Sequence, residues 1–211
     1  MANNRKGLGF IAAGLLLLAS AFALTAYNFL EQQRAKESSK SVLGELAPVL
    51  KDKSAETKEN KNIPSPNEIE IPDYILNPKM NMPVMEIGGQ KYIGVLYIPA
   101  ISVEIPVMSE LSYSNLKIAP CRYYGSVYQN NFVIAAHNYS AHFGNLKNLS
   151  PGDEVTFIDA SGNAFLFQVA ATEVLRSSDT EGMNSGDWPL TLFTCTVDGQ
   201  SRVTVRCDFA K

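Results

Sequence analysis

The chain opens on one long apolar run and closes on short apolar segments cut apart by turn residues. Leu8 to Leu30 carries no charged side chain, and Phe10 to Leu18 is its most apolar part. At ~1.5 Å per residue, a helix over this run crosses a hydrocarbon core of ~30 Å. Arg5 and Lys6 precede it. The positive-inside tendency therefore leaves residues 1–7 in the cytoplasm and sends everything past residue 30 outside. Ala19-Ser20-Ala21 and Ala21-Phe22-Ala23 have the small-residue form of a signal-peptide cleavage site. The apolar run continues past both to Leu30, which favours an uncleaved single-pass anchor over 8–30. Either reading puts the remainder outside the cytoplasm.

Residues 31–81 change character. Lys, Glu, Ser, Gln and Asn dominate the stretch to about Asn67, and Pro64, Pro66 and Pro72 interrupt regular structure. Val42, Leu43, Leu46, Val49 and Leu50 form a short apolar stripe at helical spacing. The mixture of acidic and basic side chains reads as a solvated stem rather than a binding patch.

From residue 82 the period shortens to that of strands. Tyr92 to Ile98 reads as a strand stopped by Pro99, and Val103 to Val107 as a second. Asn131 to Ala136 is short and, after its asparagine, wholly apolar. Glu154 to Ile158 and Ala164 to Val174 flank the turn Ser161-Gly162-Asn163, and Leu190 to Thr194 and Arg202 to Phe209 flank Asp198-Gly199. Leu111 to Ile118 suits one or two helical turns, and Phe143 to Leu149 a short one. Short strands at turn-punctuated spacing with little helix predict a mainly β domain over 82–211, a closed or nearly closed β-barrel.

Composition narrows the function. Apolar residues make up 45% of the chain and the formal net charge is −3. A packed core is expected, and no basic stripe points to nucleic acid as a partner. There are three cysteines, Cys121, Cys195 and Cys207, and two histidines. An odd cysteine count leaves at least one thiol without an intramolecular partner. No ligand cluster has zinc spacing.

A cysteine enzyme needs a thiolate, a group that moves protons at the leaving and attacking amines, and a donor for the oxyanion. Cys195 stands where a strand gives way to a loop, whereas Cys207 lies inside an alternating strand and Cys121 follows Ala119-Pro120 in a loop. His137 ends the apolar strand, with His142 in the following loop as its competitor. Arg202 opens the last strand, and a hairpin there returns its guanidinium toward Cys195. Arg206 is a second arginine on the same face, because the offset is even.

These residues resemble a known family. Thr191-Leu192-Phe193-Thr194-Cys195 is similar to the Thr-Leu-x-Thr-Cys signature of sortases, the cysteine transpeptidases of Gram-positive bacteria. Ala135-Ala136-His137-Asn138 with Phe143-Gly144-Asn145-Leu146 resembles their catalytic-histidine segment. Arg202 to Arg206 resembles the final strand that opens with their arginine. Ile98-Pro99-Ala100-Ile101 and Ile105-Pro106-Val107 look like the family's first strands.

The resemblance implies an eight-stranded β-barrel in which Cys195 attacks the Thr–Gly bond of a Leu-Pro-x-Thr-Gly-like sorting signal on a secreted protein. His137 moves the protons, and Arg202 holds substrate and stabilises the oxyanion. Thr194 falls at the family's position for substrate contact. The amine that resolves the thioacyl-enzyme would be a peptidoglycan precursor or a pilin lysine. No cofactor is implied, although some sortases bind Ca²⁺. Here Glu154, Asp159 and Glu173 are carboxylates without a recognisable ligand loop. Pro72-Asp73-Tyr74 carries the residues of the pilus-sortase lid in scrambled order, a poor match.

Two other readings compete. One is a different extracellular cysteine hydrolase, although such enzymes usually place Cys before His, the reverse of His137 and Cys195. The other is a non-catalytic membrane-tethered β-domain that binds wall polymer or a protein partner.

Overall fold

The computed structural model describes residues 3–59 and 71–210 of the chain. Pro64 and Pro66, read above as stem, lie outside them. The described chain divides into two units, residues 1–34 and 35–211. One helix, α1 (Asn3–Glu59), contributes to both.

In the first unit α1 is apolar on all sides. Leu8, Phe10, Leu15, Leu16, Leu17, Phe22 and Leu24 are all exposed. A helix covered in exposed leucine and phenylalanine has no aqueous surface to satisfy it, and this one is long and apolar enough to cross a membrane.

In the second unit the same helix is amphipathic. Ala35, Ser39, Leu46 and Leu50 are buried, at the spacing that repeats along one helix face. Leu46 and Leu50, with Val42 and Leu43 beside them, pack on Tyr92, Val95, Met108, Ala119 and Cys121. Ser39 Oγ donates to the Ile118 carbonyl at 2.7 Å. The apolar stripe inside residues 31–81 is thus a docking face, and this stretch of the stem is packed rather than solvated.

After the short helix α2 (Asp73–Leu76) come β1 (Met85–Ile87), β2 (Gln90–Ile98), β3 (Val103–Met108), helix α3 (Tyr113–Leu116), β4 (Cys121–Tyr124) and β5 (Phe132–Ala136). They are followed by β6 (Glu154–Asp159), β7 (Ala164–Arg176), helix α4 (Thr180–Asn184), β8 (Leu190–Cys195) and β9 (Ser201–Phe209). The strand order is β1-β2-β3-β4-β5-β8-β9-β7-β6, and β6 pairs back onto β2. That pairing closes eight strands into a barrel, with β1 left as a hairpin strand on β2. Glycine permits the closure. A Cβ on Gly94 would stand 2.1 Å from the Ile158 carbonyl oxygen across the seam.

The barrel interior is filled from β2, β3 and β5 to β9, among its residues Ile93, Leu96, Ile105, Phe132, Ile134, Phe157, Phe167, Leu192 and Val205. Cys121, expected in a loop, begins β4 and pairs with Met108. Tyr74 of α2 stacks on Tyr128 with ring centroids 4.8 Å apart. Tyr128 precedes β5 and His137 follows it. The aromatic residue of the lid-like triplet is therefore committed to the barrel end opposite His137.

Candidate active site

Strand register assembles the site. β5 and β8 run parallel, with Ala136 opposite Thr194. β9 runs antiparallel on the other side of β8, with Cys195 opposite Arg202. Successive side chains alternate between faces. Ile134, Ala136, Leu190, Leu192 and Val205 face the core, so Val133, Ala135 and Phe193 face outward, where they cluster with Met183. Cys195 and Arg202 continue that outer face, and His137 is the next outward position beyond Ala135. His137, remote in sequence, thereby meets Cys195 and Arg202 at one rim.

The other cysteines are unsuited to nucleophilic chemistry. Cys121 is wholly buried and donates to the Ala119 carbonyl at 3.4 Å. Burial pushes its thiol up to about 12, against a smaller opposing backbone contact from Ser112. Cys207 faces the core, and burial likewise pushes it up to about 12. All three thiols are free, and Cys195 alone among them is partly exposed.

The two histidines differ in the same way. His137 is half-buried and its imidazole lies between two tyrosine rings. Tyr113 of α3 meets it edge-on at 5.6 Å, and Tyr139 approaches to 4.9 Å. Tyr139 is two residues on in the chain, but nothing in the local sequence pattern marks Tyr113 as a neighbour of His137; that contact depends on where α3 docks. Gly144 shapes the loop below. A Cβ there would stand 2.6 Å from the Asn138 carbonyl oxygen, and its N–H donates to the Tyr139 carbonyl at 2.9 Å.

His142, in contrast, is wholly buried. Loss of solvation lowers its pKa from 6.5 to about 4, the charge of His137 adds to the shift, and the Ile118 carbonyl opposes it. A group held neutral this far down is a poor proton carrier near neutrality.

A pH prediction follows from this shift. Below pH 6.5 the unfolded chain protonates His142, whereas the folded chain resists until about pH 4. Stability is therefore lost on acidification across that window and levels off below it. The loss is about 3 kcal/mol for one such group. In His142→Phe the denaturant midpoint should change less between pH 6.5 and 4 than in wild type. An identical decline in both proteins would remove His142 as the cause.

The arginines also separate. Arg202 is braced at the β8–β9 hairpin, where Nη1 donates to the carbonyls of Gly199 at 3.2 Å and Ser201 at 3.0 Å. Its residue is only partly buried. Arg206 is buried, and Glu173, Thr191 and two carbonyls of α4 occupy its guanidinium.

Thr194 is the residue for which the sequence resemblance implies a substrate contact. Its side chain is buried on the face opposite Cys195, and its hydroxyl donates to the Ala136 carbonyl at 2.9 Å. It does not line the outer face. It joins the residue before Cys195 to the residue before His137. Thr194→Val keeps the shape and removes the donor, which should cost about 1–3 kcal/mol of stability. It should also slow turnover roughly tenfold by loosening the spacing of the two groups. Thr194→Ser, which keeps the hydroxyl, should retain most activity. Equal loss in both variants would argue against this bond.

The carboxylates considered for Ca²⁺ do not converge. Asp159 accepts from the Tyr128 hydroxyl at 2.6 Å, from the Ser161 and Asn163 N–H groups at 2.8 and 2.9 Å, and from Asn163 Nδ2 at 2.9 Å. Glu173 is paired with Arg206, and Glu154 stands at the other end of β6 from Asp159.

Residues 96–210 match the family description of the sortase domain. The chain belongs to the sortase family. Solved structures agree on the fold. Sortase A from Listeria monocytogenes superposes with a TM-score of 0.52 at 17% identity, covering 57% of this chain and 88% of that one. A Clostridium perfringens sortase D5 transpeptidase gives 0.52 at 22%, covering 78% and 99%. Sortase A from Corynebacterium diphtheriae gives 0.52 at 21%, covering 88% and 96%. No curated protein sequence matches. In this sortase the family's barrel brings Cys195, His137 and Arg202 to one rim, while Arg206, His142, Cys121 and Cys207 are enclosed.

Proposed function

We propose that this sortase is a membrane-anchored transpeptidase with Cys195 as nucleophile, His137 as proton carrier and Arg202 as the oxyanion and substrate donor. The observation that carries the reading is the register: Cys195 lies directly across from Arg202 and one step from His137. The sulfur attacks the threonyl carbonyl carbon of a Leu-Pro-x-Thr-Gly-like signal on a secreted protein. The C–N bond to glycine breaks as the His137 imidazolium protonates the departing amine. The thioester then accepts an amine, which gives up its proton to His137 as the new amide forms and the thiolate leaves. The Arg202 guanidinium offers planar, permanently charged donors to the oxygen that carries negative charge in both tetrahedral species.

The acceptor in this reading is a peptidoglycan precursor or a pilin lysine. The exposed apolar helix in residues 8–30 supports a single-pass anchor that holds the barrel outside the membrane. The steps as written call on no cofactor.

A quenched peptide library of the Leu-Pro-x-Thr-Gly type, offered with several amines, tests the proposal. Amide products that require Cys195 are expected. Hydrolysis of wall peptides without amide formation would indicate a peptidase instead. A folded protein that turns over nothing would leave only a binding domain.

A further inference from the structure

Helix α3 has four residues, too few to hold a helical shape unaided. Ser112 caps it by accepting from the Asn115 N–H at 3.0 Å, and the Ile118 and Ala119 N–H groups donate to the Asn115 carbonyl at 2.8 and 3.0 Å. Residues 112–119 are therefore one hydrogen-bonded unit, and its placement has to come from tertiary contacts. The amphipathic half of α1 supplies them. Ser39 is buried in the docking face, and its Oγ donates to the Ile118 carbonyl at 2.7 Å. A hydroxyl costs free energy to bury, and this bond is what offsets the cost. It fixes α1 at one register on the segment. Leu116 of α3 adds a second tie. It packs on the cluster that holds Leu46 and Leu50 of α1, and also on the outer-face cluster of Val133, Ala135 and Phe193.

The far end of the unit reaches the site. Tyr113, the first residue of α3, meets the His137 ring edge-on with centroids 5.6 Å apart. Tyr113 is 71% exposed, so core packing does not hold its ring. The backbone of α3 sets where that ring stands. The Ile118 carbonyl also acts on His142, whose charged form it favours. The bond from α1 and the loop that follows His137 thus share one oxygen.

We propose that Ser39 is a positioning residue for His137: its bond to Ile118 fixes residues 112–119, and α3 in turn holds the Tyr113 ring that limits the swing of the imidazole. This rests on the transpeptidase reading above. It makes residues 35–50 of α1 part of the catalytic unit and assigns them no contact with substrate. Loss of the Ser39 hydroxyl should therefore lower kcat and leave KM nearly unchanged.

The full-length protein in detergent provides the test, as wild type, Ser39→Ala, Ser39→Thr, Tyr113→Leu and the double variant of Ser39→Ala with Tyr113→Leu. In Ser39→Ala, amide exchange over residues 113–119 should quicken roughly tenfold, and kcat should fall about fivefold with KM within about twofold. Ser39→Thr keeps the hydroxyl and should restore both. Tyr113→Leu should lower kcat by a similar factor with little change in exchange. In the double variant kcat should lie within about twofold of Tyr113→Leu alone, because the two side chains act along one route. Tyr128→Phe removes the bond to Asp159 at the opposite barrel end. It should cost stability and leave kcat unchanged.

Unchanged exchange in Ser39→Ala, a rise in KM at constant kcat, or equal losses in Ser39→Ala and Ser39→Thr would overturn the proposal. So would an undiminished effect of Ser39→Ala on top of Tyr113→Leu, or a comparable fall of kcat in Tyr128→Phe. Should Ser39→Ala not fold, Tyr113→Leu decides the matter, and a kcat within about twofold of wild type overturns the relay. If the wild-type protein turns over no peptide, the transpeptidase reading fails and the positioning role of Ser39 falls with it. Exchange over 113–119 still decides whether Ser39 holds α3.

Discussion

Alanine at Cys195 should lower peptide turnover on the order of 10⁴-fold or more, the scale seen when a covalent enzyme loses its nucleophile. That corresponds to at least about 5 kcal/mol of barrier. No other described cysteine can take over. Cys121 and Cys207 are wholly buried, and burial pushes both thiols up to about 12. The variant should keep its fold, because Cys195 ends β8 at a partly exposed position and fills no part of the core. Steady-state rates with a quenched peptide, alongside circular dichroism, give the answer. Turnover within tenfold of wild type by a folded Cys195→Ala protein is incompatible with the proposed chemistry.

The second large effect separates two arginines on one strand. Arg202→Ala should reduce kcat by about 10²–10³-fold, the range for removing one oxyanion donor. Arg202→Lys should recover little, since an ammonium offers a point charge where a planar fork is needed. Arg206→Ala should spare kcat by comparison, because its guanidinium is spent on Glu173, Thr191 and the carbonyls of α4. Comparable losses of kcat in Arg202→Ala and Arg206→Ala would mean that cross-strand pairing with Cys195 does not identify the working arginine.

Particular residues show where the sequence was informative. The barrel strands announced themselves through alternation between turn residues, and observed ends fall within a residue or two of most expected ones. β4 escaped because Cys121-Arg122-Tyr123-Tyr124 has no clean apolar alternation, follows a proline, and pairs with β3 only through Met108 and Cys121. The stripe Val42 to Leu50 was visible, but its partner was not, since the surface that receives it is assembled from β2, β3 and the segment before β4.

Thr194 is the instructive case within the site. Alternation alone sets it on the opposite face from Cys195, and the structure keeps it there, bonded to Ala136. Family resemblance adds a substrate contact, which is a separate matter from this bond. The even offset correctly put Arg202 and Arg206 on one face. It could not tell a braced surface arginine from a buried clamp, because two of the clamp's acceptors are backbone carbonyls of α4 that no side-chain pattern encodes. His137 and His142 were likewise inseparable by spacing, and burial separates them.

The central claim is a covalent thioacyl bond to Cys195 that an amine resolves. Intact-mass spectrometry of the full-length protein, mixed with a sorting-signal peptide and quenched in acid before amine is added, tests it most directly. The account predicts a mass gain equal to the peptide's acyl part, located by digestion to the fragment carrying Cys195 and discharged as amide product when amine follows. An adduct on another residue, or amide product accumulating with no acylated enzyme at any quench time and undiminished in Cys195→Ala, would contradict it.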